Sequence, residues 1–159
     1  MDWVTFWLFL HVMGAIAGFG VSFAFPFLGA QGGKDPAHAN FAFRVTELIS
    51  QRWLIPLAIL QGITGIILIL TVDWDLFANE WLYIGIALYL IAFSFSLLVQ
   101  ARTEHRLIEL TSLPPPQGAT GGPPPEVAAL GRRLRLGGVF LAANLIAIVV
   151  LMVYKPGAS

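Results

Sequence analysis

His11 is the one histidine, acid or base inside the long apolar stretches of this 159-residue chain. An ionisable group at that depth is costly to hold in lipid, so it points to a function or to a polar partner. His11, Gly14, Gly18, Ser22 and Phe25 fall on one face of a helix, close to a heptad seam. Gly14-Ala-Ile-Ala-Gly18 is a GxxxG step that admits a neighbouring backbone, which turns His11 towards protein and away from lipid. Counted inwards at about 1.5 Å per residue, His11 and Tyr89 lie roughly 12 Å below the outer surface, and Gln61 and Asn144 roughly 15 Å. One strong hydrogen-bonding side chain per span, at nearly one level, makes a candidate site of His11, Gln61, Tyr89 and Asn144.

Two chemistries fit such a layer. Polar side chains in membrane bundles bond to one another across helices, for about 0.6 kcal/mol each on average, and fix register without further chemistry. That is the plainer reading. A neutral imidazole is also a good axial ligand, so His11 could instead hold a haem, a pigment or a quinone, with Tyr89, Gln61 and Asn144 around it. One histidine supplies one axial bond. Met13 points elsewhere on its helix and Met152 lies nearer the outer surface, so a haem would be five-coordinate or shared between two copies.

Other chemistries are poorly served. The chain has no cysteine, which excludes disulfides, thiolate metal sites and cysteine nucleophiles. His38 near Asp35, and His105 near Glu104 and Glu109, read as solvated surface histidines rather than a converging ligand set. Proton-coupled transport usually needs an acid or base of another kind in the spans, and there is none. Hydrolytic triads, phosphate loops and paired carboxylates are also missing, so the expectation is that the protein is no enzyme. Nine basic and nine acidic residues leave no net charge to attract nucleic acid.

The elements that carry these residues follow from composition. With 57% hydrophobic and 11% charged residues, the chain has about half the charge of a soluble domain, for which ~25% is usual. Four uncharged stretches each reach the roughly 20 residues needed to cross a bilayer: Trp3–Leu28, Trp53–Val72, Trp81–Ala101 and Leu136–Tyr154. The first lacks a basic leader and is too long for a signal peptide, so it is expected to be retained. Lys34, Arg44 and Arg52 lie in the first loop, Arg102, Arg106, Arg132, Arg133 and Arg135 in the third, and only Lys155 elsewhere. The positive-inside rule then places loops one and three in the cytoplasm and both termini outside. Trp3, Trp7, Trp74, Trp81 and Tyr154 would form an outer aromatic belt, with Trp53 at the inner one.

Between the spans, Asp35 and Pro36 read as the start of a helix over which Phe41, Val45, Leu48 and Ile49 recur at helical spacing. It either runs on into the second span, with Pro56 as a kink, or lies separately on the headgroups. The third helix should continue through ARTEHRLIEL, supported by Arg106–Glu109 and His105–Glu109. A Pro/Gly-rich linker covers about residues 111–126, and the fourth helix starts near Glu126. Gly14, Gly18, Gly62, Gly65, Gly85, Gly137 and Gly138 are the expected close-packing points. The expected fold is an all-α membrane protein of one domain, residues 1–159: an antiparallel up-down bundle of four transmembrane helices extended on the cytoplasmic side.

The opening LFLHVMGAIAGFG, with His11, Gly14, Gly18 and Gly20, resembles the first helix of an uncharacterised bacterial family of four-helix integral membrane proteins. That family is in turn distantly similar to the copper-resistance D membrane domain. The resemblance implies a multi-pass protein of the bacterial inner membrane in which His11 meets a metal or haem. Further membrane histidines or a methionine cluster, which copper handling would want, do not occur. Three roles remain in view. The first is a non-enzymatic subunit or scaffold that packs against other membrane proteins or against its own copies. The second is a haem, pigment or quinone binder centred on His11, and the third and weakest is a small-molecule permease.

Overall fold

Runs of Leu, Ile, Val and Phe without charge leave the backbone no water to bond, so each such run satisfies its own amides as helix. A computed structural model describes residues 2–34, 36–72, 79–112 and 122–157, and all its regular structure is helical. The helices are α1 (Trp3–Ser22), α2 (Phe25–Lys34), α3 (Pro36–Ile49), α4 (Ile55–Val72), α5 (Glu80–Phe95), α6 (Ala101–Thr111) and α7 (Pro125–Tyr154). Four continuous stretches are long and apolar enough to cross a membrane: Trp3–Ala30, His38–Val72, Glu80–Thr111 and Pro125–Tyr154.

Local chemistry sets the helix ends. Asp2 caps α1 by accepting the Thr5 amide at 2.7 Å. That bond favours the ionised form and holds the Asp2 carboxyl below its ordinary range. Between α1 and α2 the chain loosens at Phe23 and Ala24, where Pro26 has no N–H to return to Ser22. α7 opens on Pro125 and ends at Lys155, whose left-handed φ of 41° turns the chain out of the helix ahead of Pro156. The Lys155 ammonium then lies 5.3 Å from the centre of the Trp81 ring.

Two π-helical turns, Ser50–Leu54 and Ser96–Gln100, join α3 to α4 and α5 to α6 without a break. The second span and its charged extension are thus one helix, not a span plus a separate surface helix. The Ile55 amide reaches back to Ser50, and this widened turn directly precedes Pro56, which brings no donor of its own. Pro56 therefore follows a wider turn in an unbroken helix. The third helix likewise continues to Thr111, and the fourth begins one residue before Glu126. The proposed cap at Asp35, the belt residue Trp74 and most of the Pro/Gly linker lie outside the described residues.

Packing forms two seams and a bridge. Along the first, a Cβ at Gly14 would stand 2.9 Å from Gln61 Oε1, one at Gly18 3.2 Å from Leu57 Cβ, and one at Gly65 3.3 Å from His11 Cε1. Residue numbers rise along α1 as they fall along α4, so these two helices pass each other in opposite directions. The α5–α7 seam has the same sense, with Gly85 against Met152, Phe95 edge-on to Phe140, and Gly137 against Gln100. Tyr89 bridges the pairs by donating its hydroxyl to the Ala58 carbonyl at 2.9 Å, over the bare backbone of Gly62. Gly138, expected among the packing points, has no neighbour within 4 Å of where a Cβ would stand.

At the charged helix ends α3, α6 and α7 gather around Leu107, which is fully buried, with Ile108, Thr103 and Glu104 beside it. Asn40 of α3 donates to the Ile108 carbonyl at 2.9 Å and to Thr111 Oγ1 at 3.0 Å, capping the end of α6 from a neighbouring helix. The expected pairs on α6 are present, Arg106–Glu109 at 3.1 Å and His105–Glu109 at 3.5 Å. Trp81 departs from the belt: it is 1% exposed and belongs to the core, whereas Trp3, Trp53 and Tyr154 face outwards.

Candidate functional site

His11 projects from α1 onto the bare backbone of Gly65, and its Nδ1 lies 2.8 Å from Thr64 Oγ1. The fully buried Thr64 hydroxyl has a single hydrogen, shared between the Leu60 carbonyl at 2.9 Å and the Gln61 carbonyl at 3.2 Å. With that hydrogen on a carbonyl, Thr64 accepts from His11, and in that tautomer Nδ1 carries the proton and Nε2 keeps a lone pair. A histidine oriented in this way by a second side chain is set up to accept a hydrogen bond or to ligate through Nε2.

One turn along α4, Gln61 faces Gly14, and its Oε1 is buried without a partner. One turn along α1 in the other direction, the Trp7 indole Nε1 is also buried without a partner, inside a ring cluster with Trp3 and Phe6. The α1–α4 seam thus carries, in order, an unused donor, an imidazole and an unused acceptor. A buried polar group without a partner costs about 1–3 kcal/mol, which makes unused groups spaced along one seam a candidate binding site.

The four expected site residues do not form one layer. His11 and Gln61 share the α1–α4 seam, whereas Tyr89 lies on the bridge between α4 and α5, stacked on Phe93 at 5.9 Å. Asn144 is buried on α7 with an unpartnered Oδ1. Carried across the Gly85–Met152 and Gly137–Gln100 contacts, its level is that of residue 93, about 12 Å along the bundle from His11. Depth counting missed this because the helices are offset along one another. Thr64 and Trp7 were also missed. Thr64 follows Gln61 by three residues and so shares its face, which was the available signal, but a lone threonine in an apolar run usually bonds its own helix. Trp7 reads from the sequence as one more member of the aromatic belt.

His105 is mostly exposed, between Glu47 at 3.2 Å and Glu109 at 3.5 Å. Among the described residues, no three His, Asp or Glu side chains converge as a metal would need.

Comparison with known proteins adds one match. The model of a family described as predicted integral membrane protein (DUF2269) matches residues 5–156. No curated protein and no solved structure matches the chain.

Proposed function

The chain belongs to the DUF2269 family of predicted integral membrane proteins, and from that premise we propose that it is a non-enzymatic, four-pass subunit or scaffold of the bacterial inner membrane. It works by packing its apolar helix faces against other membrane proteins or against further copies of itself. The observation that carries this reading is how little of each span the chain covers by itself. Between 11% and 22% of the apolar windows is buried, and Phe9, Ile16, Ile66, Leu70, Ile91, Val139 and Val153 among others point outwards. Two helix pairs joined by Tyr89 and by the α3–α6 contact at the charged ends leave long faces on which a partner can sit. Purification in mild detergent should yield a stable complex or homo-oligomer. A monomer with nothing attached, from membranes in which the protein is folded, would remove this reading.

The topology that goes with it is an up-down bundle with both termini outside and charged extensions 102–111 and 125–135 in the cytoplasm, following the excess of Lys and Arg. The absence of native cysteine makes it simple to test. In spheroplasts, Gly157→Cys should react with an impermeant maleimide and Gly122→Cys should react only after lysis; the reverse pattern would invert the orientation.

A second reading is favoured by the Thr64 contact. In the tautomer where Nδ1 donates to Thr64, His11 Nε2 can take a haem iron, a pigment metal or a quinone hydroxyl, flanked by the unused Trp7 donor and Gln61 acceptor. The protein as isolated and after dithionite would then show a Soret-type or pigment band in the wild type that is absent from His11→Ala. Featureless spectra from both, in folded protein, would leave this seam as helix glue.

A further inference from the structure

The outer face of the α5–α7 seam carries a groove that no reading above uses. It has a volume of about 620 Å³, within the ~300–1,000 Å³ range of ligand sites, and is walled by Phe95, Val99, Leu136 and Phe140 with Arg132 and Arg133 at one end. We propose that this groove binds one anionic phospholipid from the leaflet at the charged helix ends, its phosphate on Arg132 and Arg133 and an acyl chain along Phe95 and Phe140. The proposal rests on the four-span reading and is independent of the scaffold role.

Three observations support it. The groove straddles the boundary where charge stops, since the last arginine is Arg135 and the uncharged span begins at Leu136. Its floor, where Phe95 and Phe140 meet edge-on at 4.9 Å, lies about 12 Å deeper than Arg132 at 1.5 Å per residue. A molecule filling it must therefore be ionic at one end and apolar along the rest. The arginines are also uncommitted. Arg106 is held by Glu109 at 3.1 Å and Glu126 at 3.2 Å, whereas Arg132 and Arg133 have no carboxylate partner among the described residues. Two guanidinium groups with free donors match the oxygens of a phosphodiester, and paired arginines at a membrane surface favour anionic over zwitterionic lipid.

The test is native mass spectrometry of the full chain in detergent, titrated with dioleoyl-phosphatidylglycerol or dioleoyl-phosphatidylcholine. One phosphatidylglycerol should be retained at least about tenfold more tightly than phosphatidylcholine, on the scale expected for two basic groups. Arg132→Gln/Arg133→Gln should erase that preference. Arg52→Gln/Arg102→Gln, with the same loss of charge elsewhere, should keep it. Val99→Trp, which fills the groove and leaves both arginines, should weaken retention of phosphatidylglycerol. Equal binding of the two lipids by the wild type, an equal loss in the control double, or no effect of Val99→Trp would each overturn the proposal. Competition by inorganic phosphate at the lipid's own concentration would also do so, since it would show a phosphate site with no place for a chain.

Discussion

Gly62→Ala will destabilise the protein by about 1–3 kcal/mol, the usual cost of overpacking, and most of that loss will disappear when Tyr89 is phenylalanine. A Cβ at Gly62 would stand 2.7 Å from the Tyr89 hydroxyl oxygen but 3.3 Å from the ring carbon that carries it. The clash is thus with one atom, and that atom is fixed by its 2.9 Å bond to the Ala58 carbonyl. Tyr89→Phe alone removes only that bond, worth about 0.6 kcal/mol on average in a membrane bundle. Residues in contact are expected to be non-additive, and here the sign is set: the double variant should be more stable than the sum of the singles. Unfolding of the detergent-solubilised variants in sodium dodecyl sulfate gives all four corners of the cycle. Additive losses would mean that Tyr89 does not bridge the two helix pairs.

The second large effect is a gain. Glu104 is 4% exposed, and its Oε1 is buried without a partner. It lies in the proposed cytoplasmic extension, beyond the last uncharged span residue, Ala101. Burial, and then the negative charge of Glu47 on α3, push its carboxyl up from 4.5 to about 8. Glu47 cannot relieve it, being already engaged with His105 and Gln51. An unfolded chain releases this proton near pH 4.5 while the folded chain keeps it until about pH 8. The folded state therefore binds more protons across that window, and its stability falls as pH rises through it. Below the window the group is neutral in both states and costs nothing through ionisation. Glu104→Gln keeps the shape and removes the titration, so at pH 9 it should stabilise the protein by a few kcal/mol and at pH 4 hardly at all. Thermal unfolding at the two pH values decides the matter. Parallel curves for wild type and variant would show that Glu104 reaches water.

His11 could be turned inwards from sequence because the small residues on its face left only one side for a close neighbour, and the structure seats it at Gly65. The α6 ion pairs were legible for the same reason: spacing along a single helix is fixed by its geometry. What could not be read was any quantity that depends on how one helix slides along another. The depth of Asn144 relative to His11 is such a quantity, and so is the choice of Thr64 as the partner of Nδ1. Glu104 was hidden by its company. Its neighbours Arg102, His105, Arg106 and Glu109 are polar, yet Thr103, Glu104, Leu107 and Ile108 form the stripe that α3 and α7 cover. The π-turn ahead of Pro56 left no trace except the proline itself.

The two π-turns also separate the angular bookkeeping of the spans from that of their extensions. One extra residue per turn rotates everything beyond it by about 100° relative to a continuous α-helix. A wheel drawn through residues 80–111 in one piece therefore assigns the α6 stripe to the wrong azimuth. Loss of a single residue from Ser96–Gln100 would leave α5 in its seam and swing the α6 face that meets α3 through a quarter of a turn.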